Sequence, residues 1–106
     1  MKQFINLEDF ELFPKEKAYE FREWALSHGY CSILPCDQDW WKVDATCLLH
    51  WLDERLPKGQ VSIEKYKRRW QVSWTDNGEA WYSMDTTPVD ALWHSIIAVM
   101  EAEEDQ

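Results

Sequence analysis

Trp70-Gln71-Val72-Ser73-Trp74-Thr75-Asp76-Asn77-Gly78-Glu79-Ala80-Trp81-Tyr82-Ser83-Met84 is the stretch that decides the fold. Trp70, Val72 and Trp74 alternate with Gln71 and Ser73, the period of two expected of a strand with one buried face. Asp76-Asn77-Gly78 is turn chemistry, because Asn and Gly tolerate positive φ. Beyond the turn, Ala80, Tyr82 and Met84 alternate with Trp81 and Ser83. Upstream, Val61 and Ile63 alternate with Ser62 and Glu64. Three antiparallel strands joined locally, a β-meander, explain this pattern best.

The meander runs into a helix with a clear start. Thr87 can cap it, Pro88 suits the first helical position, and Asp90 sits where an acid favours the positive end of the helix dipole. Val89, Leu92, Trp93, Ile96 and Met100 fall at helical spacing, and Ile97 and Val99 widen the apolar face. Residues 101–106 put acids at the negative end of the dipole and are expected to fray.

Working back toward the N-terminus, Lys15 to His28 reads as a helix opened by Pro14, with Ala18, Phe21 and Ala25 on one face. Gly29 stands where a C-terminal cap would want it. Tyr30-Cys31-Ser32-Ile33-Leu34 reads as a short strand stopped at Pro35. A second helix ends near Leu56, before Pro57-Lys58-Gly59. Its start has two readings: Asp37 or Asp39 caps it early, or Asp44 caps a shorter helix and leaves Trp40-Trp41-Lys42-Val43 extended. Residues 1–13 carry Phe4, Ile5, Leu7, Phe10, Leu12 and Phe13 among acids and fit a strand, a helical turn or an arm equally well. The expectation is an α+β fold: a three- to four-stranded antiparallel sheet packed with two to three helices, residues 1–106 forming a single domain with 1–13 as a candidate arm.

Composition narrows the function classes. A chain of 106 residues holds one core, large enough to fold without metal or disulfide. Eight Trp are many for that length. Either the core is built on indoles, or some indoles face a partner. No apolar leader follows Met1 and no run is long enough to span a bilayer, so a cytoplasmic protein is expected. Cys31, Cys36 and Cys47 are odd in number and show no paired spacing, as reduced and mostly buried thiols would. Twenty acids against eleven bases leave a net charge of −9, which disfavours generic nucleic-acid binding and favours solubility and a basic partner.

Motifs for chemistry are sparse. His28, His50, His94 and the three Cys show no CxxC or HxxxH spacing, and only Cys47 and His50, three apart, share a helix face. One pair is half a zinc site. A Cys47–His50 nucleophile would lack an oxyanion hole, since no Gly-rich turn adjoins a Cys. Phosphate-cradling Gly motifs are absent. Neither a cofactor nor an enzyme activity is expected. Lys65, Lys67, Arg68 and Arg69 cluster around Tyr66 at the expected hairpin turn, where bases protect a strand edge as readily as they meet a partner. Trp70, Trp74 and Trp93 belong to core faces. Trp40 and Trp41 are adjacent, and Trp81 points opposite to Tyr82, so at least one of these three indoles should be exposed. Candidate partner-binding residues are therefore Trp40, Trp41 and Trp81, the acids Asp37, Asp39 and Glu79 beside them, and Lys67 and Arg68 at the basic turn.

From about Asp39 to Met100 the order is helix, strand, Trp-rich strand, Asn-Gly turn, strand, and a helix opened by Thr-Thr-Pro. With Trp70-Gln71-Val72-Ser73-Trp74, Tyr82-Ser83, Thr86-Thr87-Pro88 and Ala91-Leu92, this resembles the phage α/β/α-sandwich (ABA sandwich) domain family, over roughly residues 39–100. The resemblance implies a phage or prophage origin and carries no catalytic residue. A small acidic protein of that origin is expected to act by stoichiometric protein binding, as an anti-CRISPR-like inhibitor of a host defence nuclease complex does. Its partner would be a basic nucleic-acid-binding host protein, with no direct contact to nucleic acid or membrane. The alternative is a phage accessory or structural domain that assembles with itself.

Overall fold

A computed structural model describes residues 5, 9, 12, 13, 15–30, 43–56, 60–76 and 78–104. The elements are α1 (Lys15–Ser27), α2 (Ala45–Arg55), β1 (Ser62–Tyr66), β2 (Arg69–Asp76), β3 (Glu79–Asp85) and α3 (Pro88–Glu104). The strands form a three-stranded antiparallel sheet in the order β1-β2-β3. This is the expected α+β meander with helices. The short strand expected at 30–34, like Trp40, Trp41, Asp37 and Asp39, falls outside the described residues except for Tyr30, which sits in a bend.

Register assigns the sheet's faces. Ile63 pairs with Val72, Val72 with Ser83, and Trp74 with Trp81, so these side chains share the face that α3 covers. Val72 and Trp74 are buried there. Gln71, Ser73, Tyr82 and Met84 point the other way, onto a face that carries no described helix.

α3 is the middle layer. The sheet packs on one side of it and α2 on another. Its buried residues Val89, Ala91, Leu92, Trp93, Ser95, Ile96, Val99 and Met100 cover more than half its circumference, as a helix packed on two sides requires. The capping signals act as read. The Asp90 amide donates to Thr87 Oγ1 at 3.1 Å, and the Thr87 hydroxyl donates back to the Asp90 carboxylate at 2.9 Å. The helix continues through Glu104, and Arg55 Nη1 of α2 donates to both carboxylate oxygens of Glu103, at 3.1 and 3.2 Å.

Aromatic rings join α1 to this frame. Phe21 lies 5.6 Å from Trp93, 6.4 Å from Trp51 and 5.6 Å from Phe13. Phe13 stacks on Trp93 at 4.6 Å, and the Trp93 indole donates to the Asp9 carbonyl at 2.8 Å. Ile5 is buried as well, its amide bonded to the Val43 carbonyl. Ile5 and Phe13 of the N-terminal segment thus belong to the core, while Leu12 is exposed. Asp44 caps α2, accepting from the Cys47 amide at 3.0 Å, so the shorter of the two readings of this helix holds.

Candidate functional site

α1 ends in a tight reversal that aims two side chains at α2. Gly29 has φ +78°, the left-handed conformation that favours glycine. Its amide bonds the Leu26 carbonyl and the Tyr30 amide bonds the Ala25 carbonyl at 2.8 Å. These two bonds are the Schellman pattern, which satisfies carbonyls at the helix end and folds the following residue back on the last turn. Tyr30 accordingly stacks on Trp24, centroids 5.6 Å apart. His28, just before the glycine, stacks on the same indole at 4.5 Å.

α2 supplies the other half. His50 and Glu54 are one turn apart, so they lie on one strip of the helix. That strip borders the buried face formed by Cys47, Leu48, Trp51 and Leu52. His50 Nε2 is 3.2 Å and His28 Nε2 is 3.4 Å from Glu54 Oε1. The second oxygen, Oε2, accepts the Trp24 indole N–H at 2.6 Å. The imidazoles meet edge to face, centroids 4.9 Å apart. Tyr30 Oη is 2.7 Å from His50 Nδ1, and His28 Nδ1 is 2.9 Å from the Trp24 carbonyl oxygen.

The electrostatics follow from these contacts. The indole N–H from Trp24 holds the Glu54 carboxyl below its ordinary range against a partial loss of solvent, and the imidazoles of His28 and His50 add to the effect. Burial pushes the Tyr30 phenol up, with the Cys47 thiol, Asp44 and Glu54 acting in the same direction. Tyr30 therefore keeps its proton at neutral pH. The side chains of His28, His50 and Glu54 are 32%, 37% and 45% exposed, so an ion or a small ligand can reach the cluster. Their three ligand-capable atoms all lie within 4.8 Å of one another.

This constellation corrects the pairing expected from spacing. Cys47 is fully buried, whereas His50 turns outward to Tyr30, His28 and Glu54. Residues three apart sit about 60° from each other around a helix, and here that is enough to divide core from surface. Sequence reading named His28 and His50 as ligand-capable but did not bring them together, and it missed Glu54. The available signals were the His50-x-x-x-Glu54 spacing and the glycine placed one residue after His28.

The expected partner-binding residues do not gather. Trp81 is 42% exposed, which meets the requirement for an exposed indole. It and Glu79 sit on the helix-facing side of β3, toward the Asp76–Glu79 turn. Lys67 and Arg68 form the exposed turn between β1 and β2, at the opposite end of the eight-residue β2. At about 3.3 Å per residue the two groups stand roughly 20–25 Å apart. Lys67 has φ 54°, so this hairpin places a lysine where glycine or asparagine is favoured. Sequence reading also left unassigned the outer face of the sheet, where Tyr82 is 69%, Tyr66 50% and Met84 37% exposed.

Among the described residues no helix is long and apolar enough to cross a membrane. Comparison of the chain with protein-family models, with curated proteins and with solved structures gives no match.

Proposed function

We propose that this chain is a stoichiometric protein-binding domain that engages its partner through the face of the β-sheet that carries none of the described helices. The observation that carries the reading is the exposure of Tyr66, Tyr82 and Met84 on that face, beside strands whose opposite face is packed. Aromatic and Met side chains held on a rigid sheet are the residues from which binding hot spots are made. The net charge of −9 supports a basic partner, since opposite net charges speed encounter. Together with the resemblance to phage α/β/α-sandwich domains, this supports an anti-CRISPR-like role: occupying a positively charged nucleic-acid channel of a host defence nuclease complex. In that role the domain needs neither a catalytic group nor direct contact with nucleic acid.

The test is reconstitution with basic host nuclease complexes. A 1:1 complex is expected, with affinity that falls as salt rises and is lost in Tyr82→Ser. Nuclease DNA binding unchanged at tenfold molar excess of the chain, or an affinity indifferent to Tyr82→Ser, would sink the proposal. A second reading, self-assembly by edge-to-edge strand pairing, is favoured by β1 and β3 being edge strands among the described residues. It requires elution above monomer mass at micromolar concentration.

A further inference from the structure

We infer that His28, His50 and Glu54 form a binding site for one divalent transition-metal ion of the zinc class. Two imidazole nitrogens and one carboxylate oxygen, with a fourth position open to solvent, are a donor set that Zn(II) accepts.

Three features of the geometry carry the inference. The first is spacing. Bonds of 2.0–2.1 Å to a tetrahedral ion put neighbouring ligand atoms about 3.3 Å apart. The Nε2···Oε1 distances here are 3.2 Å for His50 and 3.4 Å for His28. Charge-assisted hydrogen bonds between nitrogen and carboxylate oxygen close to about 2.7–2.9 Å. The observed separations are long for that and fit the edge of a coordination tetrahedron.

The second is proton placement. His28 Nδ1 lies 2.9 Å from the Trp24 carbonyl oxygen and 3.1 Å from Ser27 Oγ, and His50 Nδ1 lies 2.7 Å from Tyr30 Oη. With Nδ1–H donating to the Trp24 carbonyl in His28 and to Tyr30 Oη in His50, both Nε2 lone pairs face Glu54 Oε1, and a cation between them is what that tautomer would accommodate.

The third is support around the ligands. Metal-binding histidines are oriented by a hydrogen bond at the other ring nitrogen, and ligating carboxylates are themselves hydrogen-bonded. All three residues have such a partner: the Trp24 carbonyl for His28, the Tyr30 hydroxyl for His50, and the Trp24 indole N–H for Glu54. Trp24 thus braces two ligands at once. The competing arrangement is a protonated His28 paired with Glu54 and no affinity for metal.

Titration of the full-length chain with Zn(II) by calorimetry, and with Co(II) by visible absorbance, separates these. One ion per chain is expected. Tyr30→Phe should weaken binding about 10- to 100-fold, the usual cost of losing a group that orients a ligand. His50→Gln and Glu54→Gln should weaken it further. The Cys31→Ser/Cys36→Ser double variant should bind as the parent does. In the unaltered chain, Zn(II) should move the ring proton resonances of His28 and His50 and leave those of His94 in place, a readout that needs no variant to fold. The inference is overturned by the absence of saturable binding, by binding that persists without His50 and Glu54, by binding lost only in the Cys variant, or by ring shifts at His94 rather than His28 and His50.

Discussion

Trp93 and Trp24 put the same side chain to opposite uses in two parts of one molecule. Trp93 is fully buried where α3 meets α1 and the N-terminal segment; its ring packs on Phe13 and Phe21 and its N–H donates to a backbone carbonyl. Trp24 is half-buried at the α1–α2 corner; it stacks on His28 and Tyr30 and its N–H goes to a carboxylate. A ring enclosed by apolar neighbours contributes stability. A ring at a polar rim contributes orientation, since it fixes side chains that could otherwise rotate. The core and the corner therefore should respond differently to substitution.

The largest effect is expected at the core. Trp93→Ala should lower unfolding free energy by about 3–5 kcal/mol, the usual cost of emptying a buried aromatic site, measured by urea denaturation. A loss below about 1 kcal/mol would mean that the corner, not the core, holds the helices together.

Gly29→Ala comes next and joins the two regions. No atom crowds the position, so the cost comes from φ +78° alone. It should destabilise by about 1 kcal/mol. Because the turn aims His28 and Tyr30, it should also weaken Zn(II) binding, which the Cys31→Ser/Cys36→Ser control should leave unchanged. Unchanged stability would show that the reversal is held by Tyr30–Trp24 stacking rather than by the glycine.

A smaller gain is expected far from both. Lys67→Gly should stabilise by about 0.5 kcal/mol, through relief of the left-handed strain at the β1–β2 turn net of glycine's entropy cost. A fall in thermal midpoint would show that Lys67 makes a compensating contact. The smallest effect on stability belongs to Tyr82→Ser, under about 0.5 kcal/mol because the ring is exposed. The same variant should abolish partner binding, so stability and binding separate at this position if the outer face is the contact surface.

These regions also differ in how they could be read from residues. Thr87, Pro88 and Asp90 state the start of α3, and the alternation through Trp70–Trp74 states β2, because each signal is settled by neighbours within a turn or a hairpin. Asp44 was readable as one of three candidate caps, and Val43 lying outside the helix decided for it. Cys47 and His50 show the failure. Spacing placed them together, yet one faces the core and the other the cluster. Periodicity reports a stripe, and a residue at its edge is assigned by whatever packs there.

The β-meander, its turns and the capped C-terminal helix were determined by the sequence itself, since strand alternation, turn chemistry and caps are local energies. The meeting of His28, His50 and Glu54 was decided by tertiary structure alone. Residues 28 and 50 are held together by the Gly29 reversal and by Phe21 seated against Trp51 and Trp93, which docks the end of α1 on the flank of α2. No interaction within either helix specifies that docking, so no reading of either helix by itself could have found the cluster.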